Sequence, residues 1–137
     1  MRVVKLIASK AGHIHFVRWA FVEWSWLRIY VHFIIRPDDD AHLHTHPWHF
    51  ASLVLGGCYV ERTKTGDNHR RPLTIALRGA GTAHKVLAIH EPVLSLVVAV
   101  GRKREWGYDV DGVFVQHQEY RARKRNGTLP RVGPKPS

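Results

Sequence analysis

The chain has 137 residues, 45% of them hydrophobic, and a formal net charge of +10. That length suits one domain with a real core, and no apolar run approaches the roughly 20 residues that a membrane-spanning helix needs. The single cysteine, Cys58, excludes an intramolecular disulfide framework. It fits a reducing cytoplasm, and Met1–Lys10 lacks the apolar stretch of a signal peptide.

Residues 15–22 and 27–35 are rich in aromatic and β-branched side chains. They read as two strands of a hairpin turned at Glu23-Trp24-Ser25-Trp26. Asp38, Asp39 and Asp40 read as a solvated turn whose carboxylates cap loop N–H groups. Carboxylates so placed can also orient ligating imidazoles. Residues 42–49 follow, with His42, His44, His46 and His49. On a strand, His44 and His46 point to one face with Cα atoms roughly 6.5 Å apart, so both can grip one metal ion. His42 shares their parity and is a further ligand, a donor to a ligand, or a rim residue. His49 has the opposite parity and points away, unless Pro47 makes a bulge.

Strands are expected at 50–55 and 58–62, separated by a turn at Gly56-Gly57, and residues 63–71 read as a polar loop. A strand at 73–78 ends at Gly79-Ala80-Gly81. Strands at 84–89 and 93–100 follow, divided by Glu91-Pro92, and His84 opens the first of them. Val113-Phe114-Val115 suggests a strand, and residues 116–125 a short helix. Short strands without a long amphipathic helix favour an all-β sandwich or barrel.

The division expected is one domain over residues 1–120 and a basic tail over 121–137. The tail holds Arg121, Arg123, Lys124, Arg125, Arg131 and Lys135 and no acid. Without these the body keeps only about +4, a modest excess. Asn126-Gly127 and three prolines make the tail read as flexible, a solvated end or a weak contact for nucleic acid.

The order His44-x-His46, Gly57, then Gly81-x-x-His84 resembles the two short signatures of the cupin superfamily. The resemblance covers about residues 36–100. His-Pro-Trp at 46–48 and the segments 52–61 and 102–108 are similar to a group of small cupin-like proteins of phages and bacteria, extending it to about residue 120. It implies an antiparallel jelly-roll barrel, the double-stranded β-helix, with a short irregular or helical C-terminal segment. It also implies a metal held by His44, His46 and His84, and a homodimer. One departure stands out: Phe50 occupies the place of the glutamate that completes the usual ligand set.

Three imidazoles suit iron, zinc, copper or nickel and leave open positions, the mark of a catalytic site. The resemblance implies a small metalloenzyme. A dioxygenase-like oxidation of a small molecule by Fe(II) is the first choice. A zinc-, manganese- or nickel-dependent isomerase, hydrolase or lyase is the alternative, and a non-catalytic ligand- or nucleic-acid-binding barrel is the third. Trp48 and Phe50 are candidate walls of the substrate pocket. Glu61 and Tyr59 are weak candidates for proton transfer, an exposed strand glutamate being the plainer reading. Cys58 reads as a small buried filler, and Arg102, Lys103 and Arg104 as a charged surface turn. Trp19, Trp24 and Trp26 serve either a subunit interface or the barrel interior.

Overall fold

A computed structural model describes residues 2–9, 11–38 and 41–130. The elements are β1 (Arg2–Ala8), β2 (Ile14–Glu23), β3 (Leu27–Ile34), β4 (Leu43–His44), β5 (His49–Thr63), β6 (Gly66–Arg70), β7 (Ile75–Arg78), β8 (His84–Val100), β9 (Gly107–Val110), β10 (Val113–Gln116) and α1 (His117–Asn126). Every strand pairing is antiparallel. This is the all-β jelly roll with a short C-terminal helix that the sequence leads one to expect.

Two long strands organise it. The first half of β5 and the second half of β8 pair with each other and belong with β1, β2, β3 and β7. The other halves pair again and belong with β6, β4, β9 and β10. The β5–β8 register slips repeatedly between Val54 and Glu61, which turns both strands from one sheet into the other.

The alternation of side chains shows which face is inside. Ala20, Tyr30, Val97, Ser52 and Ala76 are linked by direct cross-strand pairing. Of these Ala20, Tyr30, Val97 and Ala76 are buried. The neighbouring row, Trp19, Val31, Leu96, Leu53 and Ile75, faces outward, with Ile75 63% exposed. Trp24 and Trp26 are also exposed, so none of these three tryptophans fills the barrel. The helix docks through Tyr120, which stacks on Tyr108 with ring centroids 3.7 Å apart. The Gln116 side chain caps its first N–H groups, and Arg123, Lys124 and Arg125 sit in its last turn, where cations suit the helix dipole.

Several expectations are corrected. Gly56-Gly57 is a bulge within β5, because the chain bends there without reversing. Glu91-Pro92 likewise lies inside β8. The expected polar loop contains β6, paired with the end of β5, because Thr63–Gly66 closes a tight hairpin. β1 and β9 were not expected from sequence. Helix α1 carries residues 121–126, the start of the segment read as a flexible tail, while residues 131–137 lie outside the described residues.

Gly57 sits at the bulge with φ +77°, and a Cβ there would stand 2.0 Å from the Pro92 carbonyl oxygen. Both the left-handed backbone and the close approach require glycine. Gly57→Ala is expected to destabilise by about 3 kcal/mol or more, read as a lower urea midpoint at unchanged slope. A loss below about 1 kcal/mol would mean the corner is not built this way.

Candidate metal centre

Strand β4 is only two residues long, wedged between β8 and β9. Its role is positional. His44 pairs directly with His84 on β8, so the two imidazoles leave the same face side by side. His46 lies two residues further on, anchored by its N–H to the Ala80 carbonyl at 3.3 Å. Ring centroids are 5.0 Å apart for His44–His46 and His44–His84, and 4.9 Å for His46–His84. One donor nitrogen from each lies within 4.8 Å of the other two. His84 is buried, while His44 and His46 are half-buried and reachable from solvent.

The protonation pattern suits metal binding. His84 Nδ1 lies 2.8 Å from Glu61 Oε2. An ionised carboxylate only accepts, so Nδ1 carries a proton, which leaves Nε2 as the nitrogen available to a metal. That Nε2 lies 2.7 Å from His46 Nε2, an N–H···N contact that an ion would replace. Burial, followed by the charges of His44, His84, Arg18 and His32, pushes the His46 pKa well below its ordinary 6.5. His46 is therefore neutral at pH 7, the state a metal ligand needs.

Glu61 is buried, 2% exposed, contrary to the exposed strand glutamate of the plainer sequence reading. Burial alone would raise its pKa. Hydrogen bonds from His84, Arg78 and Arg70 outweigh that and hold it well below the usual carboxylate range. It is a positioning residue for His84 and holds no proton to transfer. Tyr59 is buried against Val54 and Val93, and burial, then Glu61, pushes its pKa up to about 12. It is a poor proton-transfer group.

Phe50 projects inward, with its ring 4.9 Å from His46 and 5.9 Å from His84. An apolar ring thus stands beside the cluster on the side where the family's carboxylate would lie. Trp48 meets the Arg28 guanidinium at 4.2 Å rather than the three imidazoles. His42 is not part of the cluster. It is buried with Nδ1 2.9 Å from the Tyr120 hydroxyl, because helix α1 draws it to the other side. His49 accepts the Ala80 N–H at 2.9 Å and so braces the loop before His84. Asp38 accepts the Val86 N–H at 2.7 Å and lies 3.9 Å from His44 Nδ1. Asp39 and Asp40 lie outside the described residues. Cys58 is half-buried rather than buried, and Arg102, Lys103 and Arg104 form an exposed turn.

Two inward residues escaped the sequence reading. Arg18 Nε donates to His32 Nε2 at 2.9 Å, and the pair are register partners on β2 and β3. The signal was present: Arg18 shares parity with Phe16 and Ala20, and His32 with Tyr30 and Ile34. Burial, then the charges of Arg18 and Lys5, holds the His32 pKa well below 6.5.

These shifts set the acid stability of the metal-free protein. Below about pH 6.5 the unfolded chain protonates His32 and His46, while the native state refuses both protons. Stability therefore falls as pH drops, by about 1.4 kcal/mol per pH unit for each histidine. Glu61 adds a further loss below pH 4.5, its ordinary value. Urea unfolding between pH 7.5 and 5 is expected to show this decline, and His32→Phe to make it shallower. A flat profile would contradict the buried neutral state.

No protein-family model matches the chain, and no curated protein matches it. Solved structures do. A candidate mannose-6-phosphate isomerase from Ralstonia eutropha superposes with a TM-score of 0.58 at 18% identity, over 62% of this chain and 83% of that one. The DMSP lyase DddQ from Ruegeria pomeroyi gives 0.56 at 16% identity, over 71% of this chain and 56% of that one. A sugar phosphate isomerase of the cupin superfamily from Silicibacter pomeroyi gives 0.56 at 17% identity, over 68% and 64%. At such identities the likeness establishes architecture alone: this chain has the cupin fold.

Proposed function

We propose that this protein is a metal-dependent enzyme that binds one divalent transition metal through His44, His46 and His84 and converts a small molecule inside the barrel. The observation that carries this reading is the convergence of three imidazoles from two distant segments, with buried Glu61 fixing the tautomer of one. Such a carboxylate–histidine pair orients a ligand and raises its basicity. The donor set fits a late first-row ion or Fe(II). Being neutral, it leaves a divalent ion its full charge, which favours an anionic partner.

Fe(II) is the first choice, and bound there it would supply the redox chemistry for an oxygen-dependent oxidation. The chain's residues do the rest. Phe50 shields one side of the histidine cluster from water, and Glu61 keeps His84 Nε2 directed inward. Glu61 is committed to His84, Arg70 and Arg78, and Tyr59 holds its proton up to about pH 12. Neither suits the proton shuttling of an isomerase or lyase, which supports the oxidative reading. A zinc-, manganese- or nickel-dependent isomerase or lyase is the second reading. It is favoured by the sugar phosphate isomerase and the DMSP lyase that share this fold, and its base would be a water acidified by the metal.

Elemental analysis after purification without chelators should find about one metal per chain, lost in His44→Ala and His84→Ala. Unchanged metal content in both variants would end the three-histidine reading. Glu61→Gln should weaken metal affinity roughly 10–100-fold. Oxygen uptake by the iron-restored protein with small organic acids separates the two reactions. Turnover without oxygen consumption, with zinc, manganese or nickel, would select the second.

A further inference from the structure

Direct cross-strand pairing sets Lys5, Arg18, His32, Ser95 and Val54 in one row across five strands. Paired residues share a face, and Ser95 and Val54 are 4% and 1% exposed, so the row faces the interior. Arg18 thus directs a permanent cation into the barrel. Among the described residues it forms no ion pair, and its polar contact is His32. Of the barrel's other inward arginines, Arg70 and Arg78 share the Glu61 carboxylate, and Arg28, the register partner of Ala99, donates to the Ser25 carbonyl and lies over Trp48. The carboxylate whose charge reaches Arg18 is Glu23, itself paired with Arg2, so the guanidinium has no direct ion pair and an added anion would supply one.

The guanidinium is also held in a fixed plane. It lies 4.7 Å from the Tyr30 ring centroid and 5.7 Å from that of Phe16, and its Nε is spent on His32. Both Nη groups remain, the end of a fork that matches two oxygens of an oxyanion. Lys5 Nζ lies 5.8 Å from the same Phe16 ring, on an exposed residue of the edge strand. Tyr30 and Phe50 pack in one cluster, and Phe50 rests against His46. One aromatic layer therefore separates Arg18 from the histidines.

We propose that Arg18, assisted by Lys5 at the rim, binds the oxyanion group of the substrate, a carboxylate or phosphate, opposite the His44–His46–His84 cluster. The substrate is then a small acid held at one end by Arg18, with its other end toward the cluster. Calling this anion a substrate group rests on the metal-enzyme reading; the anion site does not.

The test is calorimetric titration of metal-free, full-length protein with inorganic phosphate and, separately, with acetate at low ionic strength. Wild type should show one saturable site, weakened at least tenfold in Arg18→Gln and a few-fold in Lys5→Ala. The tighter of the two probes identifies the anion class. Arg18→Lys keeps the charge and loses the fork, so it should bind more weakly than wild type, and it carries the test if Arg18→Gln fails to fold. Saturable binding by neither probe, or equal affinity in wild type and the arginine variants, overturns the proposal. Metal uptake by the same variants, measured separately after reloading, keeps the two ideas apart. Arg18-dependent anion binding in a protein that takes up no metal would sink only the metal reading. Unchanged anion binding in Arg18→Gln with full metal content would sink only this one.

Discussion

One buried carboxylate ties together four consecutive strands. Glu61 on β5 accepts from Arg70 on β6, Arg78 on β7 and His84 on β8. At 2% exposure a lone carboxylate would not remain ionised, so its charge exists only because three donors converge on it. The dependence runs both ways. Removing Glu61 would leave two largely buried guanidiniums without a counter-ion, which typically costs 3–5 kcal/mol. It would also free His84 to exchange tautomers. Fold and site meet in this residue: the ionic contact that closes the strand order also directs a nitrogen lone pair at His46.

The corner at Gly57 makes that convergence geometrically available. β5 passes through both sheets, so Phe50 at its start and Glu61 near its end both reach the same histidines, although eleven residues separate them. A straight strand would place them roughly 36 Å apart along its axis. Bending at the bulge, against the matching bend near Pro92 in β8, brings them to opposite sides of His84. The apolar ring and the carboxylate then have different duties. Phe50 shields the cluster, and Glu61 acts through the far nitrogen of His84. The carboxylate that the family places among the ligands has no counterpart at position 50, and the one nearby supports a ligand from behind.

How much of this was legible depended on whether the signal was local. His44 and His46 announce themselves by a spacing of two, and Gly81-x-x-His84 by a glycine turn before a strand, so the three histidines could be named together. β2 and β3 were equally plain because aromatic and β-branched residues alternate along them. The bulges were not, since a glycine pair or a proline within an apolar stretch reads locally as a stop, and only the pairing of β5 with β8 carries both strands through. Glu61 was misread for the same reason. A glutamate beside Arg62 looks solvated until register brings Arg70, Arg78 and His84 around it. His42 was drawn toward the metal by its parity, yet a helix some seventy residues later claims it through Tyr120.

Across the barrel the charge is divided. One wall presents three imidazoles, of which His46 is held neutral chiefly by burial. The facing wall presents Arg18, with Lys5 behind it and His32 neutral between its strand neighbours. The carboxylates near these walls are engaged: Glu61 by its own three donors, Asp38 by the Val86 N–H and Glu23 by Arg2. A divalent ion held by the first wall would therefore share the interior with the Arg18 cation of the second. Two like charges sharing a low-dielectric interior repel each other. The negative charge of a bound anion would offset that repulsion. The electrostatics of the barrel thus favour an occupant that is small and anionic.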